Sequence, residues 1–357
     1  MKVCGMILLL AAAASAQEAN SGLELRATVS ESASYAEQLT QQPRGGEPVS
    51  GGFRAMLYPT WKLNSHWAVS GAVQIHSRPF FSEEFGTQGF GVRADTLQAN
   101  LSYSRNWETG SLVVRVGQMS SAFGSFLQRY DAAVNPLIGV PTAYGYYYKG
   151  VTLLGLMGAQ VEATAGKFDM RAQFVNSSPA NRRSIFDHDQ YGNWAGGMGY
   201  TIRQGFRVGA SAYYGPYLHR QYPYFFPGEA NPKELPGYAY GLDVQWGKGP
   251  WNAWGELQRF SMDYRAIPVF TQHMGYAELR RVLNPRWYAA VRVGYLRASA
   301  FPGSETYEVA AGFRPNTHQL LKFGYQIQHG LFYPGTQGNV ASIELVTFFR
   351  AFSLAKN

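Results

Sequence analysis

Beyond its first residues this chain consists of short runs in which apolar and polar residues alternate, and the connections between runs are short and long in turn. A strand presents its side chains to opposite faces with a period of two, so such runs describe sheet with one apolar and one polar face. The rhythm of the connections constrains the fold more tightly still. It puts every tight turn at one end of the strands and every long loop at the other. Membrane-spanning barrels have this asymmetry, together with an even strand number; a soluble sheet has no need of it.

The clearest strands show the pattern directly. From Thr96 to Tyr103 every odd residue is apolar and every even one polar. Phe168, Met170, Ala172 and Phe174 oppose Asp169, Arg171 and Gln173, and Leu242, Val244 and Trp246 oppose Asp243 and Gln245. Extending this along the chain predicts sixteen strands: 23–29, 53–63, 67–76, 92–106, 111–118, 154–165, 168–176, 194–203, 206–215, 237–246, 251–261, 270–282, 286–298, 304–314, 319–329 and 339–352. Three are weaker. Pro59 removes a ladder donor from the second, the sixth is interrupted by Gly, and the twelfth alternates poorly, so fourteen or eighteen strands are the neighbouring alternatives. Tight connections fall at 64–66, 107–110, 166–167, 204–205, 247–250, 283–285 and 315–318, each with Gly, Asn or Pro turn chemistry. Sixteen strands require seven such turns and eight long loops, with both termini on the turn side.

Aromatic spacing points the same way. Phe53 and Trp61, Phe206 and Tyr214, Tyr238 and Trp246, and Trp287 and Tyr295 are each eight residues apart. An even spacing keeps both members on one strand face. Eight residues on a tilted strand rise roughly 20 Å, which suits the two aromatic girdles that border an outward apolar band about 25 Å tall. An unpaired backbone group in hydrocarbon costs several kcal/mol, so a spanning sheet must close. Its polar face then looks into a lumen, and around sixteen strands that lumen holds water. The expected pore-lining charges are Arg115, Arg171, Arg203, Arg207, Arg292, Arg314, Lys322, Asp169, Asp243 and Glu162. Arg26, Glu278, Glu308 and Glu344 share the same parity.

The N-terminus reads as an export leader. Lys2 precedes the apolar stretch Ile7–Ala14, and Ala14-Ser15-Ala16 is a small-residue cleavage site. Residues 1–16 are therefore expected to be removed, leaving 17–357 as one barrel domain. The single cysteine, Cys4, leaves with the leader, so rigidity has to come from strand pairing and not from disulfides. The formal net charge of +8 falls to about +7 without Lys2, and the cations are dispersed along the strands. Export and that dispersion exclude nucleic acid as a partner.

The longest connection, 119–152, follows the fifth strand and is the third long loop. A loop of this length inside a compact unit is normally functional. It is expected to fold into the lumen and narrow it, with Phe123, Phe126, Arg129, Tyr130, Asp131, Tyr146 and Lys149 as constriction candidates; an external loop resting on the rim is the alternative. An exported sixteen-stranded barrel with a long third loop resembles the general bacterial porins. The run Gly117-Gln118-Met119-Ser120-Ser121-Ala122-Phe123-Gly124 is similar to a Gly-Gln … Pro-Phe-Gly stretch of phosphate-selective-type porins, with Ala122 where that family often has Pro. The chain also ends Leu354-Ala355-Lys356-Asn357, whereas porins usually finish on an aromatic residue read by the barrel-assembly machinery. The resemblance implies an outer-membrane location, passive diffusion of small hydrophilic solutes or ions, and lipid and the barrel-assembly machinery as partners; a homotrimer is left open by the sequence, since every outward face is apolar for lipid anyway.

Lumen cations slightly outnumber lumen acids in this assignment. Arg171, Arg203 and Arg207, on neighbouring strands, would form a basic wall giving weak anion preference, unless Asp169, Glu162 and Asp243 neutralise them. Two other classes are the alternatives. One is a plugged barrel acting as a receptor or structural protein, with 219–236 as a contact loop. The other is an outer-membrane hydrolase, for which there is no G-x-S-x-G elbow and only dispersed histidines; Asp187-His188-Asp189 reads as a solvated loop. The expectation is a channel with no catalytic residues, metal or cofactor.

Overall fold

A computed structural model describes residues 21–36, 47–78, 80, 91–144, 155–176, 192–216, 234–263, 269–299, 301–330 and 338–355. The expected leader, Asp187-His188-Asp189 and the 219–233 part of the contact loop lie outside these residues. Sixteen antiparallel strands close into one barrel. They are β1 (Gly22–Ala36), β2 (Val49–Lys62), β3 (Trp67–Arg78), β4 (Gly91–Trp107), β5 (Gly110–Met119), β6 (Leu156–Ala165), β7 (Phe168–Val175), β8 (Asn193–Arg203), β9 (Phe206–Pro216), β10 (Pro236–Lys248), β11 (Trp251–Met262), β12 (Phe270–Val282), β13 (Trp287–Ala298), β14 (Phe301–Phe313), β15 (Gln319–His329) and β16 (Gly338–Ala355).

Each strand pairs with its sequence neighbours, and β1 closes on β16 from Gly22↔Ala355 to Ala36↔Val340. Closure leaves no edge of unpaired backbone, the condition that hydrocarbon imposes. The seven turns fall where Gly, Asn and Pro mark them. In two of them the Asn64 and Asn284 side chains accept backbone N–H groups at 2.8–3.0 Å.

The two faces differ as the alternation requires. Leu101, Met170, Met198, Leu242, Val291, Val309 and Phe323 are exposed on the outside. The girdle residues Phe53, Trp61, Tyr214 and Trp287 are exposed there too, and the Tyr214 and Tyr238 rings meet at 5.3 Å. Polar residues of the other parity, Gln74, Asn100, Gln173, Glu256, Glu278, Arg292 and Lys322, are buried inside the barrel.

Three local departures have physical causes. Pro59 stays within β2, but the β2–β3 ladder lacks Tyr58 and Pro59, stepping from Leu57↔Val73 to Thr60↔Ser70; a residue without an N–H cannot continue it. Leu97, expected on the apolar outer face with Leu101, turns inward. The register shifts there, from Val73↔Thr96 to Ala72↔Gln98, and Leu97 packs inside with Met56 and Ala72. A bulge reverses the facing of the residue it inserts. Finally, β1 runs on to Ala36 rather than ending at Val29, because Ser30, Ser32 and Ser34 continue the inner face while Ala33 and Tyr35 continue the outer one.

Candidate functional site

The lumen is crossed by the described part of the third long loop, residues 120–144, and its path is set by side chains on the inner face of the wall. Gln98 of β4 and Gln173 of β7 both donate to Ser120, at 2.8 Å to its hydroxyl and 2.7 Å to its carbonyl; Ala122 N–H donates back to Gln173 at 3.1 Å. Phe123 then packs into an apolar patch of Tyr213, Ala239, Phe260, Met274 and Leu296 on β9 to β13. Gly124 has φ +74°, a conformation favouring glycine, and a Cβ there would lie 2.1 Å from the Tyr144 hydroxyl. Its N–H donates to Ser211 and its carbonyl accepts from Arg171.

The buried Glu256 carboxylate of β11 is the main fastening point. It accepts from Ser125 N–H (3.1 Å), Ser125 Oγ (2.6 Å), Tyr276 Oη (2.8 Å), Gln258 Nε2 (3.0 Å) and Tyr144 Oη. Burial first, and the Glu256 charge next, hold the Tyr144 hydroxyl well above the ordinary phenol range, so it stays a donor. The loop forms a short 3-10 turn at Phe126–Arg129. Arg129 Nη1 meets Glu278 of β12 at 2.5 Å, Nη2 donates to Tyr276 at 3.1 Å, and the guanidinium lies 4.3 Å from the Trp254 ring centre. Burial works against its charge, but Glu278 outweighs that and keeps its pKa raised.

The next residues reach the opposite wall. Tyr130 Oη donates to Gln74 of β3 at 2.9 Å, and Asp131 accepts from Tyr58 of β2, the residue next to the Pro59 gap. Strands β12 and β3 are seven steps apart in a ring of sixteen, so Arg129 and Tyr130 tie nearly opposite walls. The chain then returns along β13 to β16. Tyr288 Oη donates to Pro136 O at 3.0 Å, Lys322 Nζ to Leu137 O at 3.3 Å, and Arg292 Nη2 to Gly139 O at 2.7 Å; Thr142 and Thr306 share a bond of 2.8 Å. Ala132 and Leu137 pack with Tyr288, Ala290, Ala310, Leu320 and Val346. The loop therefore lies inside the barrel and not on its rim.

The predicted pore-lining residues divide into two groups. Arg292 and Lys322 sit under the loop. Arg292 bonds Glu308 in two places (2.8 and 2.7 Å) and Glu278 at 3.3 Å, and Lys322 bonds Glu344 at 2.9 Å. The others, apart from the buried Asp243, stay partly exposed towards the turn end. Arg115 pairs with Glu162 at 2.6 Å. Arg207 of β9 bonds Asp169 in two places (2.7 and 2.6 Å) and Asp243 at 2.5 Å. Gly199 leaves the space its guanidinium fills, since a Cβ there would lie 2.1 Å from Arg207 Nη2.

The three-arginine wall is not assembled as expected. Arg207 is neutralised by its two aspartates. Arg171 is turned to the loop carbonyl of Gly124, and Arg203 is exposed at the Gln204–Gly205 turn opposite Phe206. Arg314 follows the end of β14, where its N–H donates to Arg286 O at 2.8 Å. Arg26 lies near the turn end with Arg350, both against Glu24 at 3.4 and 3.0 Å. Of the constriction candidates, Phe123, Phe126, Arg129, Tyr130 and Asp131 are brought together in the lumen; Tyr146 and Lys149 lie outside the described residues. Sequence reasoning missed the anchors Glu256, Tyr276, Gln74, Tyr58 and Gln173. Their inner parity was readable, but nothing in it separates a residue that holds a loop from one that faces water.

No known family profile and no curated protein matches the sequence. Solved structures do match its backbone. The anion-selective porin from Comamonas acidovorans is 12% identical, with a TM-score of 0.62 over 92% of this chain and 100% of that one. The trimer form of OmpT, an outer membrane protein of Vibrio cholerae, is 11% identical, with a TM-score of 0.60 over 92% and 100%. The outer membrane channel DcaP of Acinetobacter baumannii is 9% identical, with a TM-score of 0.59 over 94% and 99%. At such identities the likeness is one of fold, and the fold is the closed barrel of bacterial outer-membrane porins.

Proposed function

We propose that this chain, folded as a porin barrel, is an outer-membrane channel for passive diffusion of small hydrophilic solutes. The observation that carries the reading is the division of the lumen wall: a loop pinned across the middle, and a charged, partly exposed wall of Arg115, Glu162, Asp169, Arg171 and Arg207, backed by the buried Asp243, beside it. Ordered charges of both signs next to water lower the barrier for polar solutes and ions. Anion preference is weak in this reading and rests chiefly on Arg203, exposed at its turn, with Arg171 sharing the fields of Glu162 opposite it and of Asp243. Residues 1–16 act as the export leader, the barrel-assembly machinery inserts the strands, and three copies associate, as in the trimer form of the Vibrio cholerae protein.

Reversal potential across a salt gradient in planar bilayers tests the selectivity. Replacing Arg171 and Arg203 by Gln is expected to reduce the anion-to-cation permeability ratio, and an unchanged ratio removes these residues from the account. A second reading, a plugged barrel serving as receptor, draws on the ties of Arg129 and Tyr130 to opposite walls. Properly inserted protein that never opens would favour it.

A further inference from the structure

Not every charge on the strands faces the lumen. Arg259 of β11, His273 of β12 and Arg297 of β13 have the outward parity and are exposed. They stand in one register row, Arg259↔His273 and His273↔Arg297, with Tyr240 opposite Arg259 on the other side. Directly opposed residues on one face lie about 5 Å apart at Cβ, so the His273 ring sits between two guanidinium groups on one face. All three lie near the long-loop ends of their strands. Trp251 and Arg281 occupy the turn ends of β11 and β12, eight residues away, and there the Arg281 guanidinium lies 5.0 Å from the Trp251 ring centre. The upper row has no such satisfaction: neither guanidinium nor the imidazole between them has a hydrogen-bond or ion-pair partner among the described residues. The outward carboxylate nearest in register, Glu305, is opposite Tyr295 and takes the Tyr307 hydroxyl at 3.0 Å.

Below the row the surface is apolar and shallow. Leu257 and Val293 are exposed, and Gly275 and Ala277 lie between them; a Cβ on Gly275 would be 2.9 Å from Leu257 and 3.0 Å from Tyr295. We propose that the Arg259–His273–Arg297 row is a binding site for a phosphate-bearing lipid headgroup of the outer leaflet, whose acyl chains lie over the small residues beneath. A guanidinium presents paired donors that match phosphate oxygens, and two guanidinium charges flanking an imidazole donor call for an anion. A lipid brings that anion together with a tail that fits the apolar strip, which a free ion does not. The assignment rests on the outer-membrane reading, because that reading puts the long-loop end of the barrel at the outer leaflet.

The test is native mass spectrometry of the detergent-solubilised full chain with diphosphorylated lipid A, its dephosphorylated form, and inorganic phosphate as competitor. The wild type is expected to retain the diphosphorylated lipid about tenfold better than the R259Q/H273Q/R297Q variant, a difference of about 1.4 kcal/mol. R259K/R297K is expected to keep part of the binding, and heat-modifiable gel migration confirms that each variant is folded. Equal retention by folded wild type and triple variant, or equal retention of the dephosphorylated lipid, overturns the proposal. Full displacement by millimolar inorganic phosphate would reduce it to an anion site and overturns the lipid assignment. Conductance of the triple variant is recorded in parallel. An open channel with lost lipid supports both readings, while a channel silent in wild type and variant alike counts against the transport reading alone.

Discussion

The walls formed by β5 to β10 and by β12 to β16 use the same chemistry for opposite ends. On the first, Arg115 faces Glu162 and Arg207 faces Asp169 and Asp243, with Glu162 and Asp169 side chains 37% and 39% exposed. On the second, Arg292 with Glu278 and Glu308, and Lys322 with Glu344, are closed over by the loop, and the Arg292 and Lys322 side chains are 0% exposed. A solvated ion pair contributes little to stability but shapes the field that a solute meets. A buried pair carries a heavy desolvation cost and holds only while all its partners are present. The comparison teaches that a charged inner face does not by itself make a pore surface; what covers it decides.

That contrast can be broken by deletion. Arg292→Met strands the buried Glu308 without its partner, leaves Glu278 with Arg129 alone, and is expected to destabilise the barrel by about 3–5 kcal/mol, read by urea unfolding in micelles. It also releases the Gly139 tie, so single-channel current should become noisier. Gly124→Ala forces a Cβ into a left-handed backbone against the Tyr144 hydroxyl and should cost about 1–3 kcal/mol, with the same noise. Arg115→Met, on the solvated wall, should change stability by at most about 1 kcal/mol; a loss as large as that of Arg292→Met would erase the distinction between the walls. Asp169→Asn with Asp243→Asn frees the Arg207 charge and should move the reversal potential towards chloride without loosening the loop. Smallest of all, Gln128→Ala, at an exposed loop position, should stay within about 0.5 kcal/mol of wild type.

Much of the scaffold was legible because period two and turn chemistry act locally. Phe168 to Phe174 declares its faces without reference to the rest of the chain, and Asn64 and Asn284 mark turns by bonding their own backbone. The extension of β1 through Ser30, Ser32 and Ser34 was harder to see, because small polar residues make a weak alternation. Leu97 could not be placed, since a bulge is a property of two strands together. The anchors of the loop were illegible for a related reason. Glu256, Tyr276 and Gln74 alternate like any inner-face residue, and only closure of the ring brings β12 and β3 to Arg129 and Tyr130. The outward row was different: Leu257 and Arg259 share a parity, as do Val293 and Arg297, so its facing could have been read from the alternation.

The central claim is that solute and water meet the wall of β5 to β10 while the loop shields that of β12 to β16. Thr164 and Thr306 are two threonines on the inner face, one exposed on β6 and one buried under the loop on β14. Cys4 is the only native cysteine, and replacing it by Ser in both variants leaves no competing thiol. Single-channel recording of Thr164→Cys and Thr306→Cys before and after a charged methanethiosulfonate reagent separates the two walls. The account predicts stable open steps whose current changes with the reagent at position 164 and not at 306. Modification at 306 with none at 164 would contradict it, and so would a correctly inserted barrel that conducts nothing.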